Sequence, residues 1–407
     1  MLGSFSGQIA RCAMLLGALL LAGCASAART PIAEYDIDTA MPYGIAKPIR
    51  LWGDTIREMQ VDNIIENRIE QARFIYRDQI ATNQTIEQNL LALSGGGPDG
   101  AFGAGVLAGW TARGDRPEFT MVTGVSTGAI VGLFAFLGPD YDEQLKSFYT
   151  EYETEQLLIP SIFSALTGGT ALADVEGYRS LIDENIDEEI LTKLAEESAK
   201  GRTLLIGTTN LDAARPVTWD LTRIAASGNP NALVLVRDII QASSAIPGAF
   251  PPVIIPSTTQ DGGQHDEMHV DGGATQQVML FSSELPIHRI DEGLNVPVER
   301  NLYIIMNNSL KKPYEPVELG VLSITGRAVS SLISGSGSSD LYKIFAIAQR
   351  DNIDFNLTWI PKDFELEPDE AFDPVYMTAL YEYGFNHGKN LEVWRKAPPD
   401  FAVGASQ

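Results

Sequence analysis

From Asn89 onward the apolar residues of this chain come in short dense runs separated by glycine-rich breaks. Asn89 to Ser94 is a continuous apolar stretch ending on three glycines, the pattern of a strand buried on both faces. Ala101 to Arg113 then reads as a helix of small residues, Phe119 to Gly124 as a second strand and Thr127 to Leu137 as an apolar helix. Strand and helix alternating at this spacing predict an α/β fold with a central, mostly parallel sheet covered by helices on both faces. Further strands are expected at Arg202 to Thr209, Val253 to Ile255, Glu267 to Val270, Asn301 to Met306 and Asn352 to Trp359. Helical patterns fill Tyr141 to Glu155, Ile186 to Lys200, Ala232 to Ser244, Val317 to Ile333 and Pro374 to Arg395, and a polar one lies near Asp54 to Gln79. The run SGSGSS, Ser334 to Ser339, interrupts an apolar pattern and is expected to be a loop or hinge.

The first forty residues follow a different pattern. Arg11 precedes an apolar run from Ala13 to Ala22, which is too short to span a bilayer and reads as the core of a secretory signal. Its ending, Leu21-Ala22-Gly23-Cys24, is similar to a bacterial lipobox. That likeness implies lipidation of Cys24, membrane attachment through it, and removal of Cys12 with the signal. Ala25, where an Asp would favour retention at an inner membrane, implies an outer-membrane or periplasmic-face destination in a diderm cell. Ala, Ser, Thr and Pro dominate from Ala25 to about Tyr35, as in a tether.

Charge narrows the partners. With 29 Lys and Arg against 53 Asp and Glu, the formal net charge is −24, which argues against a nucleic-acid partner and against electrostatic adhesion to anionic lipid. A hydrophobic content of 44% suits a soluble globular body.

Two glycine-rich turns carry the candidate chemistry. Gly95, Gly97 and Gly100 stand in the order of a dinucleotide fingerprint, but such a site needs an acid at the end of the second strand, about 20 residues on. The strand runs instead into Gly124-Val125-Ser126-Thr127-Gly128, a GxSxG between an apolar strand and an apolar helix, which is the setting of a nucleophile elbow. The alternative for the isolated pentapeptide is a Gly-rich turn whose Ser126 merely caps a helix. Attack by a serine on an ester creates an oxyanion, and the free N–H groups of a glycine turn opening onto a helix are suited to hold it. The turn at Gly95, Gly96 and Gly97 is therefore read as an oxyanion cradle.

The serine also needs a base. His265 and His269 fall in HDEMH, which is not HExxH and leads into a strand, so no metal site is expected. His288 and His387 would serve a Ser-His-Asp hydrolase, yet neither sits in a glycine-flanked strand end. Asp271 does, followed by Gly272 and Gly273, and is the preferred base; alone, a DGG would be an ordinary turn.

Taken together, the three motifs resemble the patatin-like phospholipase family of lipid acyl hydrolases. The likeness spans Asn89 to Gln276 and includes the segments TTNLDAARPVTWD and ASSAIPGAFPPV. It implies a three-layer fold and a Ser126–Asp271 dyad without histidine. Gly96, Gly97 and Thr127 would hold the oxyanion through backbone N–H groups, and no cofactor is needed. Many members carry Arg or Lys where this chain has Asp99. With the lipobox and the periodic segments, the chain is expected to divide into a signal (1–23), a lipidated cysteine and tether (24–40), an N-terminal helical segment (41–88), a catalytic core (89–276) and a C-terminal extension completing the α/β domain (277–407). An idle lipid-binding or scaffold lipoprotein of the same fold, and a Ser-His-Asp esterase, are the alternatives. The apolar stretch Glu155 to Asp174 is either a lid or acyl-binding surface or ordinary core. Tyr376, Tyr381, Tyr383, Phe385 and Trp394 are read as a C-terminal helix packing on the body rather than as a lipid-facing belt.

Overall fold

Ten strands form one mixed sheet: β1 (Met41–Pro42), β2 (Arg50–Trp52), β3 (Ile86–Leu93), β4 (Met121–Val125), β5 (Thr203–Asn210), β6 (Arg215–Asp220), β7 (Val253–Thr258), β8 (Gln264–Asp271), β9 (Val298–Met306) and β10 (Asp354–Trp359). The computed structural model describes residues 29–46, 48–56, 58–157, 159–160, 173–310, 314, 316–399 and 401. The signal, Cys24 and most of the Glu155 to Asp174 stretch lie outside the described residues.

The order β10-β9-β3-β4-β5 is parallel throughout. The remaining strands add antiparallel pairings, β8 on β5, β7 on β8, β1 on β7, and β6 on β5 with β2 beyond it. The parallel strands are apolar on both faces because each face meets a helical layer. In β3, Leu91 and Leu93 join a core containing α2 (Gly100–Arg113), α3 (Thr127–Leu137) and α6 (Pro374–Gly388), whereas Leu90 and Ala92 join a second core with Leu341, Ile344 and Phe345 of α5 (Val321–Arg350). α1 (Glu58–Ile75) and α4 (Ala232–Ser243) complete the main helices, with shorter ones at Glu176–Asn185 and Glu188–Ala199. No helix among the described residues is long and apolar enough to cross a membrane.

The junction of β4, β5 and β8 fixes the geometry of the candidate site. β5 pairs with β4 up to Val125↔Gly207 and, along the same edge, with β8 starting at Asp271↔Thr208. β4 runs parallel to β5 and β8 antiparallel, so their C-terminal ends meet head-on at consecutive residues of β5.

One expectation is overturned. SGSGSS is neither a loop nor a hinge but part of α5, which continues through it to Arg350. Ser331, Ser334 and Ser339 donate their hydroxyls to the carbonyls four residues back, so the helix itself satisfies them. Gly337 lets the helix close on Gln277, Asp340 accepts from the Gln277 N–H (2.7 Å), and the apolar residues beyond are buried. Tertiary packing thus overrides the poor helix propensity of Gly and Ser.

The C-terminal aromatics pack on the body. α6 lies along α2 at backbone contact: β-carbons added to Gly105, Gly109, Gly384 or Gly388 would stand 2.1–2.4 Å from a carbonyl oxygen of the partner helix. Tyr376 and Tyr381 are buried there, and Trp394 packs against Trp110 and Tyr303.

Candidate active site

Ser126 sits at the turn between β4 and α3 with φ 56° and ψ −128°, a left-handed conformation that costs a non-glycine residue roughly 1–3 kcal/mol. Its glycine neighbours make the turn possible. A β-carbon on Gly124 would lie 2.2 Å from the Gly128 carbonyl oxygen, and one on Gly128 would lie 2.5 Å from that of Leu93. The Ser126 N–H donates to Ser243 Oγ (2.9 Å), and the Ser243 hydroxyl donates to the Gly207 carbonyl (2.7 Å). Ser243 therefore braces the strained turn from α4 onto β5. Sequence reasoning took ASSAIPGAFPPV as a family segment without singling this residue out.

Asp271 is the last residue of β8 and is 3% exposed. Its Oδ2 accepts from the Ser126 hydroxyl at 2.7 Å, and its Oδ1 accepts from the Gly273 N–H at 2.7 Å. Burial pushes its carboxyl up to about 7, with the hydrogen bonds from Ser126 and Gly273 acting in the opposite direction. Gly272 is required by packing, since a β-carbon there would meet the Gly207 carbonyl oxygen at 2.5 Å.

The glycine turn needs one correction. The Gly95 N–H donates to the Gln277 carbonyl (3.0 Å), so Gly95 is not an oxyanion donor. That N–H is taken by a chain segment far away in sequence, which no local pattern announces. The N–H groups of Gly96, Gly97 and Thr127 have no partner among the described residues. Gly97 has φ +60°, and a β-carbon on Gly96 would collide with the Asn307 carbonyl oxygen at 1.9 Å.

Gly100 opens α2 directly against the start of α3: a β-carbon there would lie 2.1 Å from Thr127 Oγ1. Tyr149 closes this corner by hydrogen bonding to the Thr127 hydroxyl and donating to its carbonyl (3.2 Å). Two helix N-termini thus converge beside Ser126, and their unpaired N–H groups and dipoles favour negative charge. Asp99 of the turn accepts from the Tyr376 hydroxyl (2.6 Å), which ties it to α6. Beside the turn, a cavity of about 550 Å³ lies between α5 and the end of β9, lined by Met306, Asn308, Leu310, Ser334 and Gly337. Asn308 also donates to the Gly95 carbonyl (3.4 Å), so this cavity abuts the turn.

None of the four histidines hydrogen bonds to Ser126. His288 pairs with Asp351 (2.8 Å), His387 with Thr358 (3.0 Å) and His269 with Thr208 (3.0 Å), while His265 lies near the Pro31 carbonyl (3.3 Å). Among the described residues no group of three or more His, Cys, Asp or Glu could hold a metal ion.

Residues 91–288 match the family model of the patatin-like phospholipases. The chain carries a patatin-like phospholipase domain. This family consists of lipid acyl hydrolases, and the matched residues run from within β3 past the glycine turn, the elbow and Asp271. The chain is also similar to the crystal structure of VipD from Legionella pneumophila, at 14% identity and a TM-score of 0.37, covering 74% of this chain and 66% of VipD. No curated protein matches it.

Proposed function

We propose that this protein is a serine acyl-ester hydrolase acting on lipids, of phospholipase A or lysophospholipase type. The observation that carries this reading is the 2.7 Å hydrogen bond from a strained, elbow-held Ser126 to a buried Asp271. Ser126 Oγ attacks the acyl carbonyl while its proton passes to Asp271. The N–H groups of Gly96, Gly97 and Thr127 hold the resulting oxyanion. Collapse breaks the ester bond, and the departing alcohol takes the proton from Asp271. A water then gives its proton to Asp271 as it attacks the acyl-serine, and collapse returns that proton to Ser126 with release of the fatty acid. The raised basicity of Asp271 suits it to this role at neutral pH.

A fluorophosphonate probe should label wild-type protein at Ser126, and Ser126→Ala should abolish both labelling and release of fatty acid from mixed phospholipid vesicles. Folded wild-type protein that neither labels nor releases fatty acid would favour an idle lipid-binding scaffold instead.

The proposal extends to placement: a lipid anchor on Cys24 would hold the domain at the bacterial envelope, facing its substrate, on the outer membrane of a diderm. The apolar segment before Cys24 supports it. Cys24→Ser should block lipid attachment and move the protein from the membrane to the soluble fraction in a bacterial host; unchanged partition would refute the anchor.

A further inference from the structure

Gln277 lies beyond the motifs that define the candidate site, yet it packs against Gly95 of the glycine turn and Gly273 of the DGG and borders the same space as Ser126. Its carbonyl accepts from the Gly95 N–H (3.0 Å), and its own N–H donates to Asp340 of α5 (2.7 Å). Gly337 of α5 packs on its stem: a β-carbon there would lie 3.1 Å from Gln277 Cγ. This close approach gives the SGSGSS run a local purpose, since a larger residue at Gly337 would displace the glutamine.

The side-chain carboxamide reaches into the gap between the glycine turn and the dyad. A single point above the Gly95 Cα is 2.9 Å from Gln277 Oε1 and 3.0 Å from Ser126 Cβ. The corresponding point above Gly273 is 2.5 Å from Gln277 Oε1 and 3.0 Å from Asp271 Oδ1. Both glycines leave room for this group, and Ser126 and Asp271 border the same two spaces.

Gln277 as a whole is only 5% exposed, its carboxamide hydrogen bonds to no described residue, and neither of its polar atoms is sealed in without a partner, so the exposure it has reaches the amide. An amide with no protein partner that stays accessible on a largely buried residue is free to hydrogen bond to a ligand or to water. Which end carries the nitrogen is set by the partner, because the two ends have nearly the same shape.

We infer that the Gln277 carboxamide is a substrate-contacting donor, giving a side-chain N–H to the acyl carbonyl oxygen as it becomes an oxyanion beside Ser126. This rests on the serine-hydrolase reading above and adds a side-chain donor to the backbone N–H groups. The arrangement is held from both sides, by Asp340 of α5 and by the Gly95 N–H of the glycine turn. The N–H groups of Gly96, Gly97 and Thr127 move with the backbone, whereas this donor can be removed by substitution.

The test compares Gln277→Leu, which removes the amide at similar volume, with Gln277→Glu, which keeps the shape but loses the donor. Both are assayed with a p-nitrophenyl acyl ester and by the rate of fluorophosphonate labelling, alongside wild type and Ser126→Ala. Losing one oxyanion donor costs about 10²–10³-fold in kcat. Gln277→Leu is expected to lose kcat on that order with KM within about threefold, and to melt close to wild type, because no side-chain hydrogen bond within the protein is removed. Gln277→Glu should lose at least as much, since a carboxylate repels the oxyanion. A structural role would do the reverse, lowering the melting temperature of the leucine variant and sparing the isosteric glutamate. Leucine and glutamate variants within twofold of wild type in kcat and labelling rate would overturn the inference. If the leucine variant does not fold, Gln277→Met takes its place under the same criteria. Wild type that is no more active than Ser126→Ala would refute the hydrolase reading instead.

Discussion

Asp271 is the residue on which the proposed chemistry and the stability pull apart. Burial raises its carboxyl from 3.8 to about 7, so the proton is held more tightly in the folded chain than in the unfolded one. As a base it must be ionised, so kcat/KM for an ester should rise with pH through about 7 and then level off. A flat profile from pH 5 to 8 would remove Asp271 as the base. The same shift destabilises the fold as pH rises through the interval from about 4 to 7, because the ionised form is poorly solvated. Asp271→Asn keeps a hydrogen-bonding side chain without the charge. It should be inactive yet melt higher than wild type at pH 8, with the difference shrinking toward pH 4; a variant that melts lower at pH 8 contradicts this. Ser126, Asp271 and their glycines were legible in the sequence because their constraints are local: a sharp turn, a strand end, no room for a β-carbon. Ser243 and Gln277 were not, since their roles depend on which residues the fold brings beside them, and the same holds for the Gly95 N–H that turns out to be occupied.

At the level of elements, the geometry follows from two strands sharing one edge of β5. Because β4 and β8 run toward each other and stop at Gly207 and Thr208, Ser126 and Asp271 meet without any long loop. The alternation of apolar runs gave β3, β4, α2 and α3 within a few residues, since buried parallel strands and their helices carry strong periodic signals. It missed β6 and merged SGSGSS into a break, because an antiparallel hairpin with polar residues and a glycine–serine helix depend on tertiary contacts. The glycine turn is held at its far side by the α2–α6 pairing. In Gly384→Ala the new methyl would stand 2.4 Å from the Phe102 carbonyl oxygen, so the helices must separate. Overpacking of this kind should cost about 1–3 kcal/mol in a denaturant titration. It should also slow fluorophosphonate labelling, since α2 opens at the turn; a variant with wild-type stability would show that the helices can part without cost.

At the scale of the molecule, the family match ends at residue 288, but the folded unit does not. β9 lies between β3 and β10, in register with β3 from Val298↔Ile86 to Ile305↔Leu93, so a chain ending at Gln276 exposes a central strand along its whole length. It also loses the α5 layer over Leu90 and Ala92 and the α6 partner of α2. The glycine turn loses several distant anchors at once, among them the Gln277 carbonyl on Gly95, the Asn308 side chain on the Gly95 carbonyl, the Asn307 side chain on the Ser94 carbonyl (2.9 Å) and the Tyr376 hydroxyl on Asp99. An uncovered apolar strand edge is a template for aggregation. The 1–276 fragment is therefore expected to be insoluble, or to melt without a cooperative transition and to lose fluorophosphonate labelling at Ser126 even though Ser126 and Asp271 are both present. A monomeric 1–276 fragment that melts cooperatively and labels at the wild-type rate would mean that the C-terminal strands and helices decorate the catalytic unit. Failure of the fragment, with recovery when residues 277–407 are supplied, would mean that they are part of it.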